Sequence, residues 1–303
     1  MLRKVKMANK IRILIDEKGQ VTKDDSAFVQ VSNQGPLEIT VEKKAQVEIE
    51  LVMQTPLAIS YVLKPFSNVK LVEIRDFVLG GDFKKKTILE HDSQLQAIYL
   101  NQSNHQGDLN IDEHCQLFND AVLEVSYGEL SDGNTYASYT YDLDGQGANA
   151  HLYLAAIAGN IDRKRYQVTL NHHAKNTYGF MENYGVVRHQ SRLTFDGIGR
   201  IVKGMHQSES HQTSRIIVFE PQCIAKANPY LYIDDYDVKA SHAASVGAMN
   251  EEHLYYLESR GLTKKQAMHL ITMGYLLPAF KMVNNDGLIK QIEDILLRKV
   301  GEE

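Results

Sequence analysis

The sequence predicts a mainly β protein, a β-solenoid followed by a small C-terminal helical unit. Three observations carry that reading. Through the first two thirds of the 303 residues, apolar and polar side chains alternate with a period of two, as half-buried strands require. The segments also start at nearly even intervals. "AQVEIEL" at Ala45, "NVKLVEI" at Asn68, "SQLQAIY" at Ser93 and "CQLFNDAVLEV" at Cys115 lie roughly 22 to 25 residues apart, a repeat in the solenoid range. After about Ala243 the alternation gives way to helical periodicity.

The strands follow in order. "KIRILID" opens the series at Lys10, and "PLEITVEKKAQVEIELVMQ", "NVKLVEIRDFVL", "SQLQAIYLNQ", "AVLEVSYGEL" and "TYASYTYDLDG" continue it. "ANAHLYLAAIAGN", "RYQVTLNHHA" and "SRLTFDGIGRIVKG" complete it. A small or polar residue leads into each strand, and Gly/Asn/Asp/Ser turns such as "NQSNHQGD" bend the chain at the corners. An antiparallel β-sandwich would also give many short strands. The even period and the scarcity of Asn-Gly or Asp-Gly hairpin signals favour the solenoid, with "SDGNT" at Ser131 as the exception.

The tail reads as three helices. Asn250 caps "NEEHLYYLESRG", with Glu251 and Glu252 in the first turn, where negative charge suits the helix dipole. Gly261 is placed to end it. Thr263 caps "TKKQAMHLITMGYLLPAF", whose Ala267, Leu270, Ile271 and Gly274 share a face, and Pro278 ends or kinks it. "DGLIKQIEDILLRKV" sets Leu288, Ile292, Ile295 and Leu296 on one stripe. The division is residues 1–243 for the β core and 244–303 for the helical domain. The helices are expected to cap the open rung of the solenoid and to offer an apolar face to a partner.

Composition narrows the function. A charged fraction of 23%, a hydrophobic fraction of 43% and a net charge of −5 belong to an ordinary soluble protein and disfavour nucleic acid as a partner. The short basic run Lys84–Lys86 reads as a solvated loop, and the surrounding "GGDFKKKT" as a turn rather than a phosphate loop. No apolar run reaches the ~18 residues of a membrane span. "MLRKVKMANK" lacks the features of a secretory signal. Cys115 and Cys223 are too few and too far apart for a disulfide framework or a cysteine zinc site, which suits a reducing cytoplasm.

Catalytic motifs are absent. There is no GxSxG or HExxH, and no carboxylate pair is spaced for acid–base work. His172 and His173, adjacent in "NHHAKNT", point to opposite faces of a strand and cannot chelate one ion. His206 and His211 are five apart, on opposite strand faces or on either side of a turn. A scaffold or binding protein is therefore favoured over an enzyme. One histidine is left open by this reading. His242 stands in "ASHAAS", where strand gives way to helix, as a packed junction residue or as an imidazole that meets a metal.

Four ordered motifs resemble the SufB/SufD family of iron–sulfur cluster assembly scaffolds. They are "LDGQGANAHLYLAAIAG", "NHHAKNTYG", "SRLTFDGIGRIVKGMHQSESHQTSR" and "DYDVKASHAASVGAMNEEHLYYLESRGLTKKQAMHLITMGYL", spread from about Leu143 to Tyr275. "SVG" and "LESRG" look more like the SufD branch. The resemblance implies a right-handed parallel β-helix with a helical C-terminal domain, in a cytoplasmic complex. It implies that the helices at about 250–299 dock a SufC-like ABC ATPase, with Tyr255, Tyr256, Met268 and Met273 as candidate anchors. It also implies pairing through the β-helix with a SufB-like subunit or a second copy, near the rungs before the junction.

The same resemblance places His242 at an interfacial iron–sulfur site, where imidazole suits iron. The chain departs from the family at that junction. Ala240 stands where the family has cysteine, and Ala243 where it has glycine, while Cys223 lies on a preceding strand. Thiolate is the natural soft ligand for iron and sulfide. A cluster is thus expected only transiently, with its cysteine supplied by the partner. The family's N-terminal helical region is expected to be absent, since strands begin near Lys10. Two rival readings stand beside this one. A carbohydrate-active β-helix enzyme could use Asp142 and Asp144, but no Arg/Lys array accompanies them. A homodimeric structural module would leave His242 merely packed.

Overall fold

The structure, a computed structural model, describes residues 9–33, 35–283 and 285–301. It is a β-solenoid with helices on its flank. The first sheet contains β1 (Asn9–Ile15), β2 (Val21–Lys23), β5 (Gln46–Met53), β7 (Asn68–Arg75), β9 (Gln94–Asn101), β11 (Val122–Glu129), β13 (Asn149–Ala158), β15 (Tyr178–Val187), β17 (Glu209–Val218) and β19 (Lys239–Ala248). The second contains β3 (Val29–Ser32), β4 (Leu37–Val41), β6 (Ala58–Leu63), β8 (Leu79–Leu89), β10 (Gln106–Leu117), β12 (Thr135–Leu143), β14 (Arg163–His172), β16 (Arg192–Ile201) and β18 (Ile224–Ile233). From β4 onward the chain alternates between the sheets, and from β5 onward each strand pairs in parallel with the strand one coil earlier. This parallel pairing excludes a hairpin-built sandwich.

The repeat lengthens along the chain. Gln46 lies opposite Asn68, a coil of 22 residues, whereas Tyr178 lies opposite Glu209, a coil of 31. The near-constant interval read from the sequence holds only for the first coils, because strands grow from 8 residues in β5 to 10 in β13. For the same reason Cys115 does not begin a repeat. It sits late in β10, on the other sheet from the segments at Ala45, Asn68 and Ser93.

One corner shows how the sequence encodes the coil. Lys44, Phe66, Asp92, Asp120, Gly147, Asn176 and Gln207 all have positive φ. Each is followed by a small buried residue: Ala45, Ser67, Ser93, Ala121, Ala148, Thr177 or Ser208. The left-handed residue turns the backbone sharply, at a steric cost for all but glycine. The small residue lets the turn close over the lumen. Each corner N–H also reaches the next coil, as Asp92 N to Asn119 O at 2.9 Å and Asn176 N to His206 O at 3.1 Å. Those bonds satisfy a polar group that the turn would otherwise strand.

The lumen is packed largely with apolar side chains, interrupted by buried charged groups such as Glu129 and Lys164 and most densely by one ionic cluster. Arg75 Nη2 lies 2.6 Å from both Glu73 Oε1 and Glu113 Oε1, and Lys85 Nζ lies 2.7 Å from Glu113 Oε2. Tyr61 donates to Glu73 at 2.8 Å and Tyr127 to Glu113 at 2.7 Å. Lys84–Lys86 is thus part of a strand, not a loop, and its middle lysine points inward. Composition alone makes the basic run look solvated, whereas its phase on the strand does not. In phase, Lys85 falls with buried Phe83 and Thr87.

The two ends of the solenoid differ. At the start, the short β2 and β3 fold back antiparallel on β1 and β4, blunting both sheet edges. At the other end β18 and β19, ten residues each, close the series, with no strand beyond them among the described residues. β19 runs to Ala248, five residues past the boundary read from the sequence.

The helices α1 (Glu251–Ser259), α2 (Lys264–Leu276) and α3 (Asp286–Gly301) do not cap that end. Instead α2, a 3-10 turn at Leu277–Phe280 and α3 lie on the outer face of the first sheet. There they share a second core with Ile98, Leu100, Tyr153, Ile157, Tyr184 and Val186. Outward-facing apolar residues on these strands require a cover, which a capping arrangement would leave wet. Gly128 admits the Phe280 ring, since a Cβ there would lie 3.1 Å from it, and Ser126 Oγ donates to Ala279 O at 2.6 Å. Arg188 donates to Lys299 O at 3.3 Å and Val300 O at 3.0 Å, holding the last turn of α3. Asn250 and Thr263 cap α1 and α2 as the sequence indicates, Thr263 in a capping box with Gln266. The α3 stripe of Leu288, Ile292, Ile295 and Leu296 is buried as read. On α2 the buried stripe is Ala267, Met268, Thr272, Met273 and Leu276, so Leu270 and Gly274 face solvent. No helix among the described residues is long and apolar enough to cross a membrane.

Candidate functional site at the terminal rung

β19 is exposed along its whole length. Its register on β17 fixes which way each side chain points. Ala240 pairs with Ser210, His242 with Gln212, Ala244 with Ser214 and Val246 with Ile216, and all four β17 partners are buried. Ala240, His242, Ala244 and Val246 therefore project over the lumen, and Ser241, Ala243 and Ser245 toward the outer face. The inward residues of β18, by the same argument, are Ala225, Ala227, Pro229, Leu231 and Ile233, which lie over Leu193, Phe195, Gly197, Gly199 and Ile201. His242 is thus the one titratable side chain among the inward-facing residues of β18 and β19.

The floor beneath it is bridged across the lumen. Gln212 crosses the lumen and donates from Nε2 to Tyr230 O on β18 at 2.9 Å, tying the two sheets together. The glycines of "FDGIGR" make room for this crossing. A Cβ on Gly197 would lie 2.4 Å from Gln212 Oε1, and one on Gly199 would lie 2.7 Å from Ser210 Oγ and 2.9 Å from Leu231 Cδ2. Along the outer edge of the rung, His211 Nδ1 lies 2.7 Å from Ser241 Oγ, and Lys239 Nζ 2.7 Å from Glu209 Oε1.

The backbone of β19 offers a free edge. The N–H groups of Lys239 and Met249 turn back toward Ser208 and Val218. By the alternation of a parallel ladder, those of Ala240, His242, Ala244, Val246 and Ala248 point away from β17. Unpaired donors and acceptors in a row are a template for a further strand.

The other histidines that the sequence motifs single out have local partners. His172 is buried, with Nδ1 2.8 Å from Thr177 Oγ1, and burial pushes its pKa down to about 4. His173 points outward, 2.8 Å from Asp144 Oδ1. His206 sits in a corner, 3.1 Å from Asp235 Oδ1. Among the described residues no group of three His, Cys, Asp or Glu is placed to hold a metal ion. Cys115 lies in the lumen, where burial pushes its thiol far up and makes it inert. Cys223 packs against the end of the lumen core and donates to His189 O at 3.4 Å, its pKa also raised by burial. Ala240 is two residues from His242 on the same face, about 6.6 Å along the strand, and supplies no ligand.

The helical candidates divide. Tyr255 and Tyr256 are exposed on α1, which buries none of its residues. Met268 and Met273 are 7% and 6% exposed and belong to the core on the first sheet, so they cannot act as surface anchors. Leu270, which the sequence reading turned inward, stands exposed on the next helix.

Residues 82–275, spanning β8 to α2, match the family described as SUF system FeS cluster assembly, SufBD core domain. The chain belongs to the SufB/SufD family of iron–sulfur cluster assembly proteins. It is 32% identical over 181 residues to iron-sulfur cluster assembly protein SufD of Bacillus subtilis, covering 60% of this chain and 41% of that protein. It is 25% identical over 158 residues to SufB of the same organism, covering 50% and 34%. A SufBD family protein of Mycobacterium tuberculosis is 28% identical over 158 residues, 50% of this chain and 19% of its own length. The matched segments thus span less than half the length of each of these relatives. The uncapped rung and His242 lie inside the family match, as do Tyr255, Tyr256 and Leu270.

Proposed function

We propose that this chain is a non-catalytic, cytoplasmic scaffold subunit of a SUF iron–sulfur assembly complex. It pairs through β19 with a second scaffold of the family, either a SufB-like chain or another copy. The observation that carries this reading is the asymmetry of the solenoid. One end is blunted by short antiparallel returns, while the other presents a ten-residue edge strand with free backbone donors. An edge of that length is a liability unless something covers it.

Pairing there would enclose His242 between the partners. The imidazole could then take or steady iron or a nascent cluster as cargo, while the thiolate ligands come from the partner, since Ala240 has none. His242→Ala is expected to leave the melting temperature and the pairing unchanged and to lower cluster maturation in a complemented strain. Full maturation would reduce His242 to a spectator.

Docking of a SufC-like ABC ATPase is assigned to the exposed face of Tyr255, Tyr256 and Leu270. Deleting the helices would be a poor test, because it would strip the cover from Leu100, Tyr153 and their neighbours. Tyr255→Asp with Leu270→Asp touches no buried contact. It is expected to weaken ATPase binding at least tenfold, about 1.4 kcal/mol, with the fold intact. Unchanged affinity, measured by titration calorimetry, would remove the dock from this face.

A further inference from the structure

We propose that the rim of the terminal rung selects a partner with basic residues and disfavours a second copy of this chain. This rests on the reading that β19 is the pairing edge, and it decides between the two partners left open there. The turn entering β19 carries Asp234, Asp235 and Asp237, and the helix leaving it opens with Glu251 and Glu252. Asp235 is engaged in place, accepting from Gly204 N at 2.7 Å and from Asp237 N at 3.0 Å and lying 3.1 Å from His206 Nδ1. Lys239 is occupied by Glu209. Asp234, Asp237, Glu251 and Glu252 are exposed and have no ion-pair partner among the described residues.

The topology turns these charges into a selection rule. β19 runs from the acidic turn to the acidic helix start. Two copies joined by antiparallel β19 edges across a twofold axis would set Asp234 and Asp237 of each against Glu251 and Glu252 of the other. The remaining twofold arrangement lays β19 on the β18 of the second copy and sets the acidic turn against itself. That second arrangement is also interrupted. Ile224 and Asp234 bond back to Ser191 and Ile201, so the odd positions of β18 face off the edge, and Pro229 among them has no N–H to give. Both self-pairings therefore oppose carboxylates, whereas lysines or arginines at those two spots would attract.

Sedimentation equilibrium of the full chain, wild type and Asp234→Lys/Asp237→Lys, tests the rule. Both positions are exposed turn residues, and Asp235 is left in place. At ~0.05 M salt the reversed variant is expected to self-associate at least about tenfold more tightly than wild type. Near ~1 M salt, where screening shortens to a few ångströms, the difference should fade. If the variant instead pairs with wild type and not with itself, the turn-on-turn arrangement is the operative one and the selection rule stands. Wild type that dimerises as tightly as the variant overturns it, as does a variant that stays monomeric both alone and mixed with wild type. Ala244→Pro in the reversed background removes one free-edge donor. Loss of association ties the effect to β19, while persistence would place it elsewhere and undo the pairing reading itself.

Discussion

Arg75→Ala is expected to lower the unfolding free energy by about 3–5 kcal/mol, the cost of breaking a buried ion pair from one side. Arg75 is fully enclosed in the lumen and balances Glu73 and Glu113 together with Lys85. Without the guanidinium, two carboxylates face one ammonium with no water to share the charge. Burial would raise the Glu113 carboxyl, but Arg75 and Lys85 overcome it and hold the pKa below the usual value. The contribution of Glu113 is therefore present above the ordinary carboxylate pKa, and it is lost as pH falls through the depressed one. Lys84→Ala, one residue from Lys85 and on the solvent face, should change stability by no more than about 0.5 kcal/mol. Urea midpoints of the two variants make the comparison, and similar midpoints would mean that the lumen charges are solvated after all.

Phe280→Ala should cost a similar amount, about 3–5 kcal/mol for a buried aromatic truncated in a core. The loss is expected to fall on the helices rather than on the solenoid. The ring sits in the slot opened by Gly128, beside Leu100 and below the Ser126 bond to Ala279. Removing it opens a cavity under the joint between α2 and α3, and Ile98, Tyr153 and Val186 lose part of their cover. Amide exchange should rise through α2 and α3 while β9, β11 and β13 stay protected. Uniform loss across both would mean that the two cores unfold as one unit.

Strands and helix caps were legible in the sequence because their signals are local. Alternation places Val69 and Leu71 inward without reference to any other coil, and Asn250 and Thr263 bond to residues within the next turn. The lumen cluster was legible in principle. Glu73 and Arg75 are in phase with Val69 and Leu71, and Glu113 with Ile111 and Cys115. Reading by phase rather than by charge would have found them. The face of α2 was not legible, since Met268, Leu270, Ile271 and Met273 make it apolar on several sides and only the sheet beneath decides which are covered. Nor was the inward direction of His242, because its neighbours are all small and give alternation nothing to contrast. The flank position of the helices depends on outward residues of coils more than a hundred positions away, such as Ser126, which donates to Ala279 O.

The claim on which the account depends is that β19 stays open in the isolated chain and is covered by a partner scaffold. Amide exchange of the chain, alone and bound to a SufB-like subunit, tests it directly. The account predicts that Ala240, His242, Ala244, Val246 and Ala248 exchange quickly alone and become protected in the complex, while their alternates toward β17 change little. Protection that builds on the second sheet or on the N-terminal coils, with β19 still exchanging, would contradict it.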